Sequence, residues 1–181
     1  MTYAGIVLAG GAARRLSGVD KPALPVGGKP LLARALAALA EADPVIVVGP
    51  ERPGFGDVLW TRESSPGTGP VAALAAGLVL VRSEIVVVLA GDLAGVRSST
   101  VDRLVGSLGA ASGAVLVDDA GERQWLLGAW RVEALRGALP ETVENASLRR
   151  TLGGLEIVEV PGEPGESDDI DTPEDLDRWS R

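Results

Sequence analysis

Short apolar runs alternate along this chain with segments in which apolar residues recur every three or four positions. That alternation permits few folds and predicts an α/β domain on a largely parallel sheet. The runs at 3–9, 45–48 and 58–61 read as strands, and 85–90, the most hydrophobic, is expected at the centre. Leu31, Leu32, Ala35, Leu36 and Leu39 keep helical spacing behind Pro30, which suits a first helical turn. Gly67, Gly69 and Pro70 open an Ala/Leu-rich segment that predicts a helix to about Val81, and Ser98, Ser99 and Thr100 offer caps for the next. Residues 114–117 and 124–130 flank the turn Asp118-Asp119-Ala120-Gly121 and predict a hairpin-like pair. Helices at 132–139 and 148–152, a strand at 155–160 and a last helix at 173–179 complete the reading. No internal repeat or long linker interrupts the 181 residues, so one domain over 1–181 is expected.

Composition narrows the chemistry. The chain has no histidine and no cysteine. Ser–His triads, histidine bases, thiolate nucleophiles, disulfides and most zinc sites are thereby excluded. What remains is carboxylates, Lys, Arg, hydroxyls, backbone amides and hard metal ions. A net charge of −8 argues against nucleic acid or an anionic membrane as partner. No apolar stretch has membrane-spanning length and no signal-type segment opens the chain, so a cytoplasmic location is expected. The charge is unevenly spread. Residues 1–40 hold Arg14, Arg15, Lys21, Lys29 and Arg34 against Asp20 alone, a local balance of +4, which leaves −12 for the remainder. A basic loop kept in an acidic protein points to a small anion bound there.

The densest motif is Leu8-Ala9-Gly10-Gly11-Ala12-Ala13-Arg14-Arg15-Leu16-Ser17-Gly18-Val19-Asp20-Lys21. A loop after the first strand of an open sheet lies at the carboxyl edge, where ligands bind. Gly10 and Gly11 allow close backbone approach, so amide groups can point at phosphate oxygens, and Arg15 and Lys21 can neutralise a triphosphate from either side. Neither G-x-G-x-x-G nor G-x-x-x-x-G-K-[ST] is present, because Ala13 and Arg15 break the first and Ala23 and Pro30 break the second. Asp92 ends the most hydrophobic strand, where a carboxylate either holds Mg²⁺ in the ligand crevice or caps the helix that follows. The last twenty residues carry eight acids against two Arg. Asp169 and Asp171 among them are either metal or supporting ligands, or part of a solvated helix start. Trp125 and Trp130 stand at odd spacing, which in a regular strand puts them on opposite faces. Gln124 is a candidate acceptor contact, and Arg149-Arg150 read as exposed helix charges.

These motifs resemble the signature of the nucleotidyltransferases that build dinucleotide forms of the molybdenum cofactor. The likeness runs from the N-terminal loop through Gly28-Lys29-Pro30-Leu31, Gly67-Thr68-Gly69-Pro70-Val71-Ala72-Ala73, Asp92, Gln124-Trp125-Leu126-Leu127-Gly128 and Asp169-Ile170-Asp171-Thr172-Pro173-Glu174-Asp175-Leu176. The resemblance implies a three-layer, Rossmann-like domain of the nucleotide-diphospho-sugar transferase type. It implies transfer of GMP from GTP to the terminal phosphate of molybdopterin, with release of pyrophosphate and with Mg²⁺ as cofactor. On that reading Leu8, Ala9, Gly10, Gly11, Lys21, Glu63, Gly69 and Asp92 bind the nucleotide, Arg15, Lys21 and Asp92 are catalytic, and Asp92 holds the metal. Gly10, where cytidylyl enzymes of the group carry Ala, favours GTP. Partners implied are these two small molecules and transient contacts with proteins that carry the molybdenum cofactor. The chain departs from the group at Gly49 in place of Asn, Glu63 in place of Asp, Ala94 in place of Pro and Asp169 or Asp171 in place of Asn. A cytidylyl- or sugar-phosphate nucleotidyltransferase and a non-catalytic nucleotide binder are the alternatives.

Overall fold

A computed structural model describes residues 2–10, 18 and 20–180. The strands are β1 (Ala4–Leu8), β2 (Pro25–Val26), β3 (Lys29–Pro30), β4 (Val45–Val48), β5 (Leu59–Thr61), β6 (Ile85–Ala90), β7 (Gly113–Val117), β8 (Arg123–Arg131) and β9 (Ile157–Pro161). The α-helices are α1 (Leu31–Ala38), α2 (Pro70–Leu78), α3 (Ser98–Ser107), α4 (Val132–Ala138), α5 (Leu148–Leu152) and α6 (Pro173–Trp179). Seven strands form the main sheet in the order β5-β4-β1-β6-β8-β7-β9, with β6 in the middle as its hydrophobicity predicts. Only β8 runs against the others, pairing antiparallel with β6 and β7. β2 and β3 make a separate two-stranded ribbon.

Alternate residues of each strand enter different cores, as the two-residue period of a strand dictates. Val7, Val47, Val87 and Leu89 pack with Leu32, Ala35 and Leu39 of the α1 region and Val101 and Leu104 of α3. Ile6, Ile46, Val48, Val86 and Val88 pack on the other face with Leu74 and Leu78 of α2, Leu135 of α4 and Leu152 of α5. β6 is apolar throughout because both of its faces are covered, the arrangement that selects β-branched residues in parallel sheets. Each such side chain contributes about 1.5–3 kcal/mol by leaving water. A third, smaller cluster joins Val26, Leu31, Ala94 and Ile170, with Leu176 and Trp179 of α6 packed against it. No helix among the described residues is long and apolar enough to cross a membrane.

Several boundaries differ from the sequence expectation. α2 starts at Pro70, since Gly69 has φ 100° and cannot be helical, and it stops at Leu78. Beyond it, Leu80 and Val81 donate to Gly77 and Leu78 in tight turns, so the apolar run outlasts the helix. Ser98 to Thr100 do not cap α3. Arg97 occupies the cap position, and its N–H donates to Thr100 Oγ1 at 3.2 Å from within the first turn. The two tryptophans also depart from expectation. One step on β7, from Val115 to Leu116, faces four on β8, from Gly128 to Gln124. This bulge cancels the alternation, and Trp125 and Trp130 pack against the same core.

Candidate active site

The chain leaves β1 to one side of the sheet, forming β4 and β5, and then returns to form β6 on the other side of β1. Their adjacent carboxyl ends are therefore a topological switch point, where open α/β sheets bind ligands. The strand exits are tied together by backbone. Gly91 N–H donates to Leu8 O at 2.9 Å, Ala9 N–H to Val48 O at 2.8 Å and Gly49 N–H to Thr61 O at 2.9 Å. Gly49 belongs to this lacing. Its φ is 153°, and a Cβ there would lie 2.7 Å from Ala9 O, so no Asn side chain fits on this backbone.

A cavity of about 460 Å³ opens at the switch point. Leu8, Gly10, Lys21, Glu63, Gly69 and Asp92 all line it, together with Leu126. Ala9 does not: it is buried, with its N–H on Val48 and its carbonyl accepting from Arg52. Glu63 Oε1 accepts from Gly67 N–H at 3.0 Å, which folds the loop before α2 back on itself. Gly11 and Arg15 lie outside the described residues. Lys29 is exposed on the β2–β3 ribbon, away from the cavity lining. Gln124 lies beside a neighbouring acidic hollow and donates to Asp118 Oδ2 at 2.7 Å, bracing the β7–β8 turn. Arg149 and Arg150 are exposed on α5, as expected.

The charged centre is a cluster. Asp92, Asp169 and Asp171 each present a carboxylate oxygen within 4.8 Å of the others. Lys21 Nζ donates to Asp171 Oδ1 and lies 3.5 Å from Asp92 Oδ2. Asp169 and Asp171 arrive on a strap that runs back along the β6 exit. Ala94 N–H donates to Asp168 O at 2.8 Å, Ile170 N–H donates to Asp92 O at 3.3 Å, and Leu93 bridges Asp169. A proline at position 94 could not make the first of these bonds. The cap of α6 is made by Thr172 and Asp175, with Asp175 Oδ2 accepting from the N–H groups of Asp171 and Thr172. Asp92 precedes the cap residue of α3 by five positions and plays no part in that cap.

Burial raises the Asp92 pKa, against the opposing attraction of Lys21. Asp169 is also raised, by burial and then by its neighbours Asp92 and Asp171. Burial alone would lower Lys21, but the Asp171 hydrogen bond and the charges of Asp92 and Asp171 outweigh it and hold the ammonium pKa above its ordinary value. The group therefore favours positive charge. Its donors are all hard oxygens, and the Lys21 ammonium already lies against two of the three carboxylates. The set fits a hard divalent cation such as Mg²⁺.

Two supports were not legible in the sequence. Arg52, 9% exposed, joins the Ala9 carbonyl to the Asp20 carboxylate. Glu166, 1% exposed, anchors the strap through Arg103, Thr100 and its own turn. Neither belongs to a motif. The only signal was an arginine or glutamate in a segment rich in Gly and Pro, which is too common to single out.

The fold and its crevice define an open α/β protein with a ligand-sized cavity at its switch point. Comparison with known proteins sharpens this. Residues 5–159 match the MobA-like NTP transferase domain, and the chain belongs to that family of nucleotidyltransferases. It is 32% identical to the molybdenum cofactor guanylyltransferase of Rhodobacter capsulatus, over 98% of this chain and 95% of that one. Among solved structures, molybdopterin-guanine dinucleotide biosynthesis protein A from Archaeoglobus fulgidus superposes with a TM-score of 0.75 at 21% identity, covering 97% of this chain and 96% of that one. The 2-C-methyl-D-erythritol 4-phosphate cytidylyltransferase of Thermus thermophilus gives 0.73 at 21% identity, covering 99% and 98%. These two likenesses carry the fold alone.

Proposed function

We propose that the chain acts as one nucleotidyltransferase unit that transfers GMP from GTP to the terminal phosphate of molybdopterin. The observation that carries this is the convergence of Lys21, Asp92, Asp169 and Asp171 at the mouth of the β1–β6 crevice. An acceptor phosphate oxygen bonds to the α-phosphorus of GTP as the bond to the leaving pyrophosphate breaks. The acceptor is a phosphomonoester whose second pKa is about 6, so it attacks already ionised and needs no base. That agrees with a chain lacking histidine. Gly10 and the rest of the loop after β1 cradle the phosphates, and Lys21 neutralises them. Asp92 would hold Mg²⁺, with Asp169 or Asp171 beside it, and the ion would add charge neutralisation at the phosphates.

The guanine preference rests on room. Among the described residues, a Cβ at Gly10 would meet nothing nearer than Gly49 Cα and Val48 O at 3.9 Å, which leaves space there for the ligand. The mechanism is tested by Asp92→Asn. Pyrophosphate release from GTP, Mg²⁺ and acceptor is expected to fall at least about a hundredfold, or about 3 kcal/mol of transition-state stabilisation, with the fold retained. Unchanged turnover would remove Asp92 from the mechanism.

A further inference from the structure

Arg52 follows β4 and has no contact role in the reaction described above. Its guanidinium joins three points of the chain. Nε donates to Asp20 Oδ2 at 2.7 Å and Nη2 to Asp20 Oδ1. Nη2 also donates to Ala9 O at 3.0 Å, and Nη1 to Pro50 O at 3.0 Å. Ala9 is where β1 ends and the basic loop begins, and Asp20 is where that loop returns, one residue before Lys21. One buried side chain therefore fastens both stems of the loop to the exit of β4.

We propose that Arg52 is a positioning residue for nucleotide binding: it sets the separation between the Gly10 amide and the Lys21 ammonium without touching the nucleotide. The idea rests on the nucleotidyltransferase reading. Burying a guanidinium is costly, and a buried ion pair seldom stabilises more than apolar residues of the same size. What the planar fork supplies here is geometry, two parallel bonds to one carboxylate plus a carbonyl on each neighbouring strand exit. Asp20 answers it, its carboxyl held below the ordinary range chiefly by the Arg52 hydrogen bond. Lysine keeps the charge but is a single point, so it cannot hold all three partners at once. Because Lys21 must face both the phosphates and Asp92, a slack loop costs affinity before it costs folding.

The test uses the full chain with GTP and MgCl2, reading Kd by titration calorimetry and the melting temperature in parallel. Arg52→Lys and Asp20→Asn are each expected to weaken GTP binding at least tenfold while melting within a few degrees of wild type. The double variant should be little worse than either single one, since both remove the same tether. Asp20→Asn keeps an acceptor oxygen for Arg52 on a half-exposed side chain, so it perturbs the fold less than a change at Arg52 itself. Wild-type Kd in both single variants would overturn the proposal, as would lowered melting temperatures with unchanged Kd. If the wild-type protein itself bound no nucleoside triphosphate, the functional reading would fall and this inference with it.

Discussion

Replacing Glu166 by Gln should show how firmly the strap that delivers Asp169 and Asp171 is held. Oε1 accepts from Thr100 Oγ1 at 2.5 Å and Arg103 Nη1 at 2.9 Å, while Oε2 accepts from Arg103 Nη2 at 2.6 Å and the Glu163 N–H at 2.7 Å. Four donors converge on this carboxylate. A glutamine amide would turn an NH₂ group toward two of them. Burial opposes ionisation of Glu166, but Arg103, the Glu163 amide and the Thr100 hydroxyl outweigh it and hold the pKa at about 2. Against 4.5 for a free glutamate, this corresponds to about 3 kcal/mol of stability at neutral pH. Glu166→Gln is therefore expected to cost about 2–3 kcal/mol, or about 4–12 °C in melting temperature for a chain of this size. Because the folded-state pKa lies below the unfolded one, the contribution is complete above pH about 4.5 and is lost as pH falls toward 2. Urea melts of both proteins at pH 7 and again near pH 3 read this directly, and the gap should narrow in acid. A gap under about 0.5 kcal/mol at pH 7, or one that does not change with pH, would refute the reasoning.

Two further substitutions probe the site. Gly10→Ala should melt within about 2 °C of wild type, since among the described residues its Cβ meets only ordinary contacts at 3.9 Å, yet should lower the ratio of GTP to CTP turnover; pyrophosphate release with each nucleotide measures it, and an unchanged ratio denies Gly10 a part in base choice. Gly95→Ala puts a Cβ 1.9 Å from Gly165 O, a backbone atom that cannot yield without moving the strap, so a loss of about 1–3 kcal/mol in urea melts is expected, and wild-type stability would show that the strap does not pack there.

The fold was legible because its signals are periodic. β6 could be placed at the centre of the sheet from six consecutive apolar residues, since only a strand covered on both faces has use for them. The β7–β8 pair followed from a turn motif between two apolar runs. Where periodicity failed, geometry that no pattern encodes was responsible. The bulge in β8 moved Trp125 to the face of Trp130, and Arg97 rather than a serine or threonine took the cap position of α3. The C-terminal acids show the same divide. The motif around Thr172 was readable as a helix start, and Thr172 and Asp175 do cap α6. That Asp171 meets Lys21 and Asp92 depends instead on backbone bonds from Ala94 and Ile170, which a sequence does not display.

On the proposed reaction, transfer to an ionised phosphate leaves little proton transfer to manage in a chain without histidine, so catalytic power would come from placement and charge. Here Asp92 follows the end of β6, the central strand of the sheet, by two residues. Its partners come from two segments outside the main sheet, Lys21 at the start of a short 3-10 turn and Asp169 and Asp171 on the strap, and each segment is tethered by a buried or half-buried arginine–carboxylate fork. Arg52 holds Asp20, one residue before Lys21; Arg103 holds Glu166, three residues before Asp169. In each pair one member is buried and the other reaches the surface, at 9% and 51% exposure for Arg52 and Asp20 and 31% and 1% for Arg103 and Glu166. The buried member is a cation in the first pair and an anion in the second. Each fork therefore answers to the local backbone it must hold rather than to a shared need for one sign of charge. Whatever stability such pairs add, their planar forks fix orientation. They are what allows two loops to meet one strand end with charged groups only a few ångströms apart.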